Sequence, residues 1–110
     1  MQEKESQTVE WIKELEERRG ELDKKLSELD WETARIEWKI VQLEEFRKKL
    51  GEGGIKINHP ELIIERAELE KKKLSQEREK KKEERGEIAL DREFCNTLIN
   101  YLRSRLELVW

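Results

Sequence analysis

Interruption is what this sequence has least of. Pro60 is its one proline, and three of its five glycines stand together at 51, 53 and 54. The stretches 3–50 and 60–109 therefore contain almost nothing that breaks a helix. Cysteine is nearly absent too: Cys95 alone excludes an internal disulfide and suits a reducing cytoplasm. Aromatic residues make up only 6% of a chain that is 46% charged, which is too polar for an ordinary globular core. No apolar run approaches the ~18 residues of a membrane span, and Met1–Ser6 has no signal-peptide core, so a cytoplasmic location is expected. Charge of one sign is lacking as well. A net charge of −3 favours no class of partner.

What is present is Glu, Lys, Arg and regularly spaced Leu. With Asp confined to positions 23, 30 and 91, the balance matches hyperthermophile proteins with surface ion-pair networks, and it is also what long helices favour. In the first stretch Thr8, Leu15, Leu22, Leu29, Ile36, Leu43 and Leu50 recur every seven residues. They form column d of a heptad whose column a is Ile12, Arg19, Leu26, Thr33, Ile40 and Arg47. Such 3–4 spacing sustained over six heptads is the signature of a coiled coil. Gly51 is the expected left-handed cap of this helix, and Gly53-Gly54 forbid its continuation. A second helix is expected to begin at Pro60, capped by His59 or Asn58.

The second helix repeats Ala67, Leu74, Lys81, Ile88, Cys95, Leu102 and Val109, taken as its column a, with Ile63, Glu70, Glu77, Glu84, Asp91 and Leu98 as column d. The expected fold is all-α: a single domain over 1–110, an antiparallel two-helix coiled-coil hairpin. Helix 1 runs about 3–50, the loop 51–59 and helix 2 about 60–109, each helix about 70 Å long at ~1.5 Å per residue. Closure over the loop should pair residues whose numbers add to about 110. Column e of helix 1 is acidic (Glu16, Asp23, Asp30, Glu37, Glu44) and column e of helix 2 basic (Lys71, Arg78, Arg85, Arg92). Antiparallel geometry sets these columns against each other as Glu16–Arg92, Asp23–Arg85, Asp30–Arg78 and Glu37–Lys71, with Arg19 meeting Asp91 inside the seam. Each exposed pair contributes only a few tenths of a kcal/mol, so the ladder sets direction and register more than stability. In this register Leu26 and Ile40 face Glu84 and Glu70, leaving the middle of the seam poorly filled.

Helix 1 also carries apolar residues where a two-stranded coil needs none. Trp31 and Trp38 fall seven apart in column f, beside the small or apolar column b of Gly20, Ser27, Ala34 and Val41. Grouped apolar residues on an outward face mark an interface. The simplest reading is a homodimeric four-helix bundle with helix 1 central, and a different partner protein is the alternative. Leu106, Leu108, Val109 and Trp110 fall level with the polar start Met1–Ser6 and are expected to contribute to the same association.

Candidate chemistry is sparse. His59 stands alone in the loop, with no cluster of His, Cys or Asp for a metal or a catalytic constellation. Cys95 reads as a small core residue. The loop Gly51–His59 does not follow a strand and lacks the Lys-Ser/Thr ending of a phosphate cradle; Ile55 and Ile57 are expected to close the end of the seam. The runs Lys71–Lys73 and Lys80–Lys82 suggest nucleic acid, but acidic residues offset them between Glu68 and Glu87 and no aromatic residue is interleaved. The stretch Glu21–Leu26 with Ala34-Arg35-Ile36 and Gly54–Glu61 resembles the all-helical chorismate mutases, which also open on a long helix and form helical dimers. Glu16, Thr33 and Glu44 stand where that family carries active-site Arg and Lys, and Leu62-Ile63 replace its Arg-Glu pair, so the activity is not carried over. The sequence thus reads as a non-enzymatic interaction module, an adaptor, scaffold or assembly factor without catalytic, cofactor or metal residues. The alternative is a dimeric nucleic-acid-binding or transcription-regulating protein that uses basic helix 2 or the loop tip.

Overall fold

A computed structural model describes the backbone of residues 2–109 and the side chains of residues 3–106. It contains two α-helices, α1 (Gln2–Gly51) and α2 (Pro60–Val109). No helix among the described residues is long and apolar enough to cross a membrane.

The glycines end α1 as expected of a helix stop, but two residues later than at Gly51. Gly51 is still helical, and the left-handed residue is Gly53, at φ 73°. The Gly53 amide donates to the Leu50 carbonyl (3.2 Å) and the Gly54 amide to the Lys49 carbonyl (2.9 Å). These two bonds satisfy carbonyls that the last turn would otherwise orphan, the Schellman arrangement. At the start of α2, His59 adopts φ 59° and its carbonyl accepts from the Leu62 and Ile63 amides at 3.1 and 3.3 Å. Pro60 follows as the first helical residue, where its missing N–H is no loss. Ile55 and Ile57 both remain more than a third exposed and do not close the seam as expected.

The chain divides into two compact units, residues 1–28 with 84–110, and residues 29–83. In the first unit a core of Ile12, Leu15, Leu22, Cys95, Ile99 and Leu102 is buried, with Ile88, Leu98 and Leu106 packed against it. In the second, Ile36, Ile40 and Leu74 form the core and Leu43 packs on it; Leu29, Leu50 and Ala67 are buried in the same unit. The α1 residues are those of columns a and d, as the periodicity predicts.

The α2 face differs from the expected one. Its column a is correctly placed, but the companion column is e rather than d. Ile64, Lys71, Arg78, Arg92, Ile99 and Leu106 are buried or half-buried, whereas Ile63, Glu70, Glu77, Glu84 and Asp91 are exposed and only Leu98 of the expected column d packs on a core. The physical reason is the cost of desolvating carboxylates. A seam built on column d would press four acidic groups against Leu and Ile without partners. Column e supplies Ile64, Ile99 and Leu106, together with Lys and Arg stems that bury methylenes while their charged ends reach water. Ile40 is accordingly buried beside Leu74 and does not face Glu70.

Candidate functional site

The interhelical ladder exists, moved by one heptad. In the first unit Arg92 pairs with Asp23, not with Glu16. Glu16 instead takes Arg103. Arg19 donates to the Asn96 carboxamide oxygen at 2.7 Å and not to Asp91. In the second unit Lys71 pairs with Glu44 at 3.1 Å rather than with Glu37, and Arg47 with Glu68 at 2.6 Å. The facing residues Arg19–Asn96, Asp23–Arg92, Glu44–Lys71 and Arg47–Glu68 have numbers adding to 115, not 110. Charge alone could not distinguish the two registers, because each ladder column repeats its sign every seven residues. Arg78 is half-buried; its Nε has no hydrogen-bond partner and lies 4.0 Å from Glu79 of its own helix. Asp30 and Arg85 are exposed, and neither lacks a partner. The new register has one further consequence at the end of α2. Leu106, expected to lack an apolar partner, packs on the core of the first unit. Trp110 and the side chains of Leu108 and Val109 lie outside the described residues.

The outward strip of α1 is placed as the heptads predict. In the second unit Trp31 is 71% exposed and Trp38 64%, with Ala34 and Val41 exposed beside them. Their 3–4–3 spacing puts them on one helical face, opposite the buried columns. A shallow apolar depression beside Trp31 is edged by Glu32 and Arg35. In the first unit Gly20 and Ser27 are exposed in column b, and a Cβ added to Gly20 would meet nothing within 4 Å.

A second outward apolar face has no counterpart in the sequence reading. Leu62 and Leu69 in the second unit, and Leu90, Phe94 and Tyr101 in the first, are all half or more exposed on α2. They occupy columns c and g, about 180° around the helix from the a/e seam at ~100° per residue. With column d assigned to the seam, this face was hidden among the flanks. The 4–3–4 spacing of Leu90, Phe94, Thr97 and Tyr101 was the signal that could have found it. Arg105 donates to the Tyr101 hydroxyl at 3.2 Å and its guanidinium lies 6.0 Å from the ring centre.

Groups suited to chemistry are dispersed. Among the described residues no polar or charged side chain is fully buried, and no three His, Cys, Asp or Glu groups gather to hold a metal ion. Cys95 is buried within the first core, and His59 is exposed at the start of α2. In the second unit a charged furrow runs between Glu32, Arg35 and Lys39 of α1 and Glu77 and Lys81 of α2. Lys81 is engaged there by Glu32 at 2.7 Å. Such a surface can be recognised by another protein; it presents no shielded acid, base or nucleophile. No family model, curated protein or solved structure matches the chain.

Proposed function

We propose that this chain is a non-enzymatic protein–protein interaction module, a helical hairpin that self-associates and acts as an adaptor, scaffold or assembly factor. The observation that carries the reading is the exposure of Trp31 and Trp38, one heptad apart on a helix whose opposite face is already buried. Tryptophan is the residue most often found anchoring an interface, and two of them in water expose apolar area that association would cover. Ala34 between them allows a second helix to approach closely. A homodimer with α1 at its centre, forming a four-helix assembly, is the simplest arrangement.

Light scattering decides the point. The wild type is expected to be dimeric or larger at tens of micromolar, and a Trp31→Glu, Trp38→Glu variant to lose that association while keeping its helicity. A wild type that is monomeric under those conditions refutes the reading. Nucleic-acid binding has less support: Lys71 and Lys81 are engaged by Glu44 and Glu32, and steep salt-dependent duplex binding would be needed to revive it.

A further inference from the structure

Within the first unit the outward half of α2 changes character along its length. From Glu84 to Tyr101, columns c, d, f and g carry Glu84, Glu87, Asp91 and Glu93 around Leu90 and Phe94, and no basic residue. Beyond Phe94 come Asn100, Tyr101, Ser104 and Arg105, which supply side-chain donors and the first cation of this half. Every one of these residues is exposed. Arg105 already stands beside Tyr101, donating to its hydroxyl at 3.2 Å. One helix face, inside one unit, thus has an acidic end and a donor end with apolar residues between them.

We propose that this short face joins two copies, the stretches 84–105 of their α2 helices running antiparallel with facing numbers adding to about 191. Leu90 then meets Tyr101 of the second copy, and Phe94 meets Thr97 close to the two-fold axis. Arg105 falls between Glu84 and Glu87 of the second copy, the Ser104 hydroxyl beside Glu87, and the Asn100 carboxamide beside Glu93. Asp91 falls level with Leu98 at the rim, where its carboxylate stays in water. No like charges are opposed, and each pair occurs twice, as an isologous contact requires. The alternatives do worse. Parallel pairing sets Glu87 against itself and brings no cation to any of these carboxylates. An antiparallel shift of one heptad toward residue 84 opposes Asp91 to Asp91 and Glu93 to Glu93, and opposed like charges are destabilising. A shift the other way sets Phe94 against Ser104 and Tyr101 against Thr97, which parts the apolar residues. Leu90, Phe94 and Tyr101 from each copy fall well short of the roughly 20–30 residues a side of a stable interface. The proposal therefore rests on the α1 reading: the α2 face is a second contact, joining pairs already held through Trp31 and Trp38.

Sedimentation velocity on the full chain, from tens to hundreds of micromolar, tests the contact. The wild type is expected to pass from a dimer to a larger species built from dimers. Arg105→Glu sets like charges against each other at both ends of the contact. It is expected to raise the concentration needed for that step by roughly tenfold or more while leaving the dimer intact. Adding Glu84→Arg and Glu87→Arg to Arg105→Glu is expected to restore the larger species. Arg105 lies about 27 Å or more from both glutamates along its own helix at ~1.5 Å per residue, so the rescue reports a second copy and not a change within the chain. All three positions are exposed, and circular dichroism checks that each variant keeps its helicity. A wild type that stops at the dimer, an Arg105→Glu variant that assembles like the wild type, or a triple variant without rescue overturns the α2 contact and leaves the α1 reading standing. The Trp31→Glu, Trp38→Glu variant is expected to be a monomer. If it keeps the wild-type mass, the α1 reading fails and this proposal falls with it.

Discussion

Ile99 shows how one residue reveals which face of a helix is used. It is completely buried, yet it lies in the column that also holds Lys71, Arg78, Arg85 and Arg92. Its neighbours in the first unit are apolar, so truncation removes transfer energy and leaves a cavity. Ile99→Ala is expected to lower stability by about 2–5 kcal/mol, measured by urea denaturation. Asp91→Ala, at an exposed position once assigned to the seam, should change stability by about 0.5 kcal/mol or less. Comparable losses at the two positions would mean that α2 does not bury its a/e face. His59 and Gly53 show a different use of single residues: both take positive φ to turn the chain out of one helix and into the next. For Gly53 the conformation carries little steric cost, since it has no Cβ.

At the scale of the helices, direction is specified redundantly and register is not. The acid column of α1 and the basic column of α2 fix antiparallel packing in each unit, because every ladder pair is opposite in sign whichever heptad is chosen. A shift of seven keeps four opposite-sign pairs, exchanging Glu16–Arg92 at one end for Glu44–Lys71 at the other, so charge could not tell 108 from 115 as the number sum along column e. The decision falls to particular residues: burying Ile64, Ile99 and Leu106, and pairing Arg19 with Asn96 inside the seam. A half-buried polar pair of that kind selects register more than it stabilises. Both helices, their ends within a residue or two and the whole α1 face were thus legible from spacing alone. The α1 strip was legible for the same reason. The α2 seam was not, because its column e is mostly Arg and Lys and reads as a solvated flank unless stem burial is counted. The pairing makes a direct demand. A double-mutant cycle on Asp23 and Arg92 should give a coupling of about 0.2–1 kcal/mol, whereas Asp23 with Arg85 should be additive. Coupling to Arg85 in place of Arg92 would mean that the helices pair at a number sum of 108.

At the scale of the molecule, the question is what so much outward apolar surface does. In each unit both helices bury one face, and outward apolar residues remain on the other, Trp31 with Trp38 on α1 and Leu69, Phe94 and Tyr101 on α2. Two-helix cores of six and three buried side chains are small, and packing rather than propensity supplies most helical stability in proteins. Covering the outer faces with further copies would therefore stabilise the helices as well as join the chains. Stability and assembly are then linked by mass action, since a partner that binds only the folded chain raises the free energy of unfolding as its concentration rises. The thermal midpoint of the wild type is expected to climb by a few degrees for each tenfold increase in protein concentration. Trp31→Glu with Trp38→Glu should lower the midpoint and abolish that dependence, because the chain then folds without a partner. Scanning calorimetry over two decades of concentration makes the comparison. A wild-type midpoint that stays constant would mean that the folded chain is stable as a single hairpin, and that neither outward face is used by a second copy.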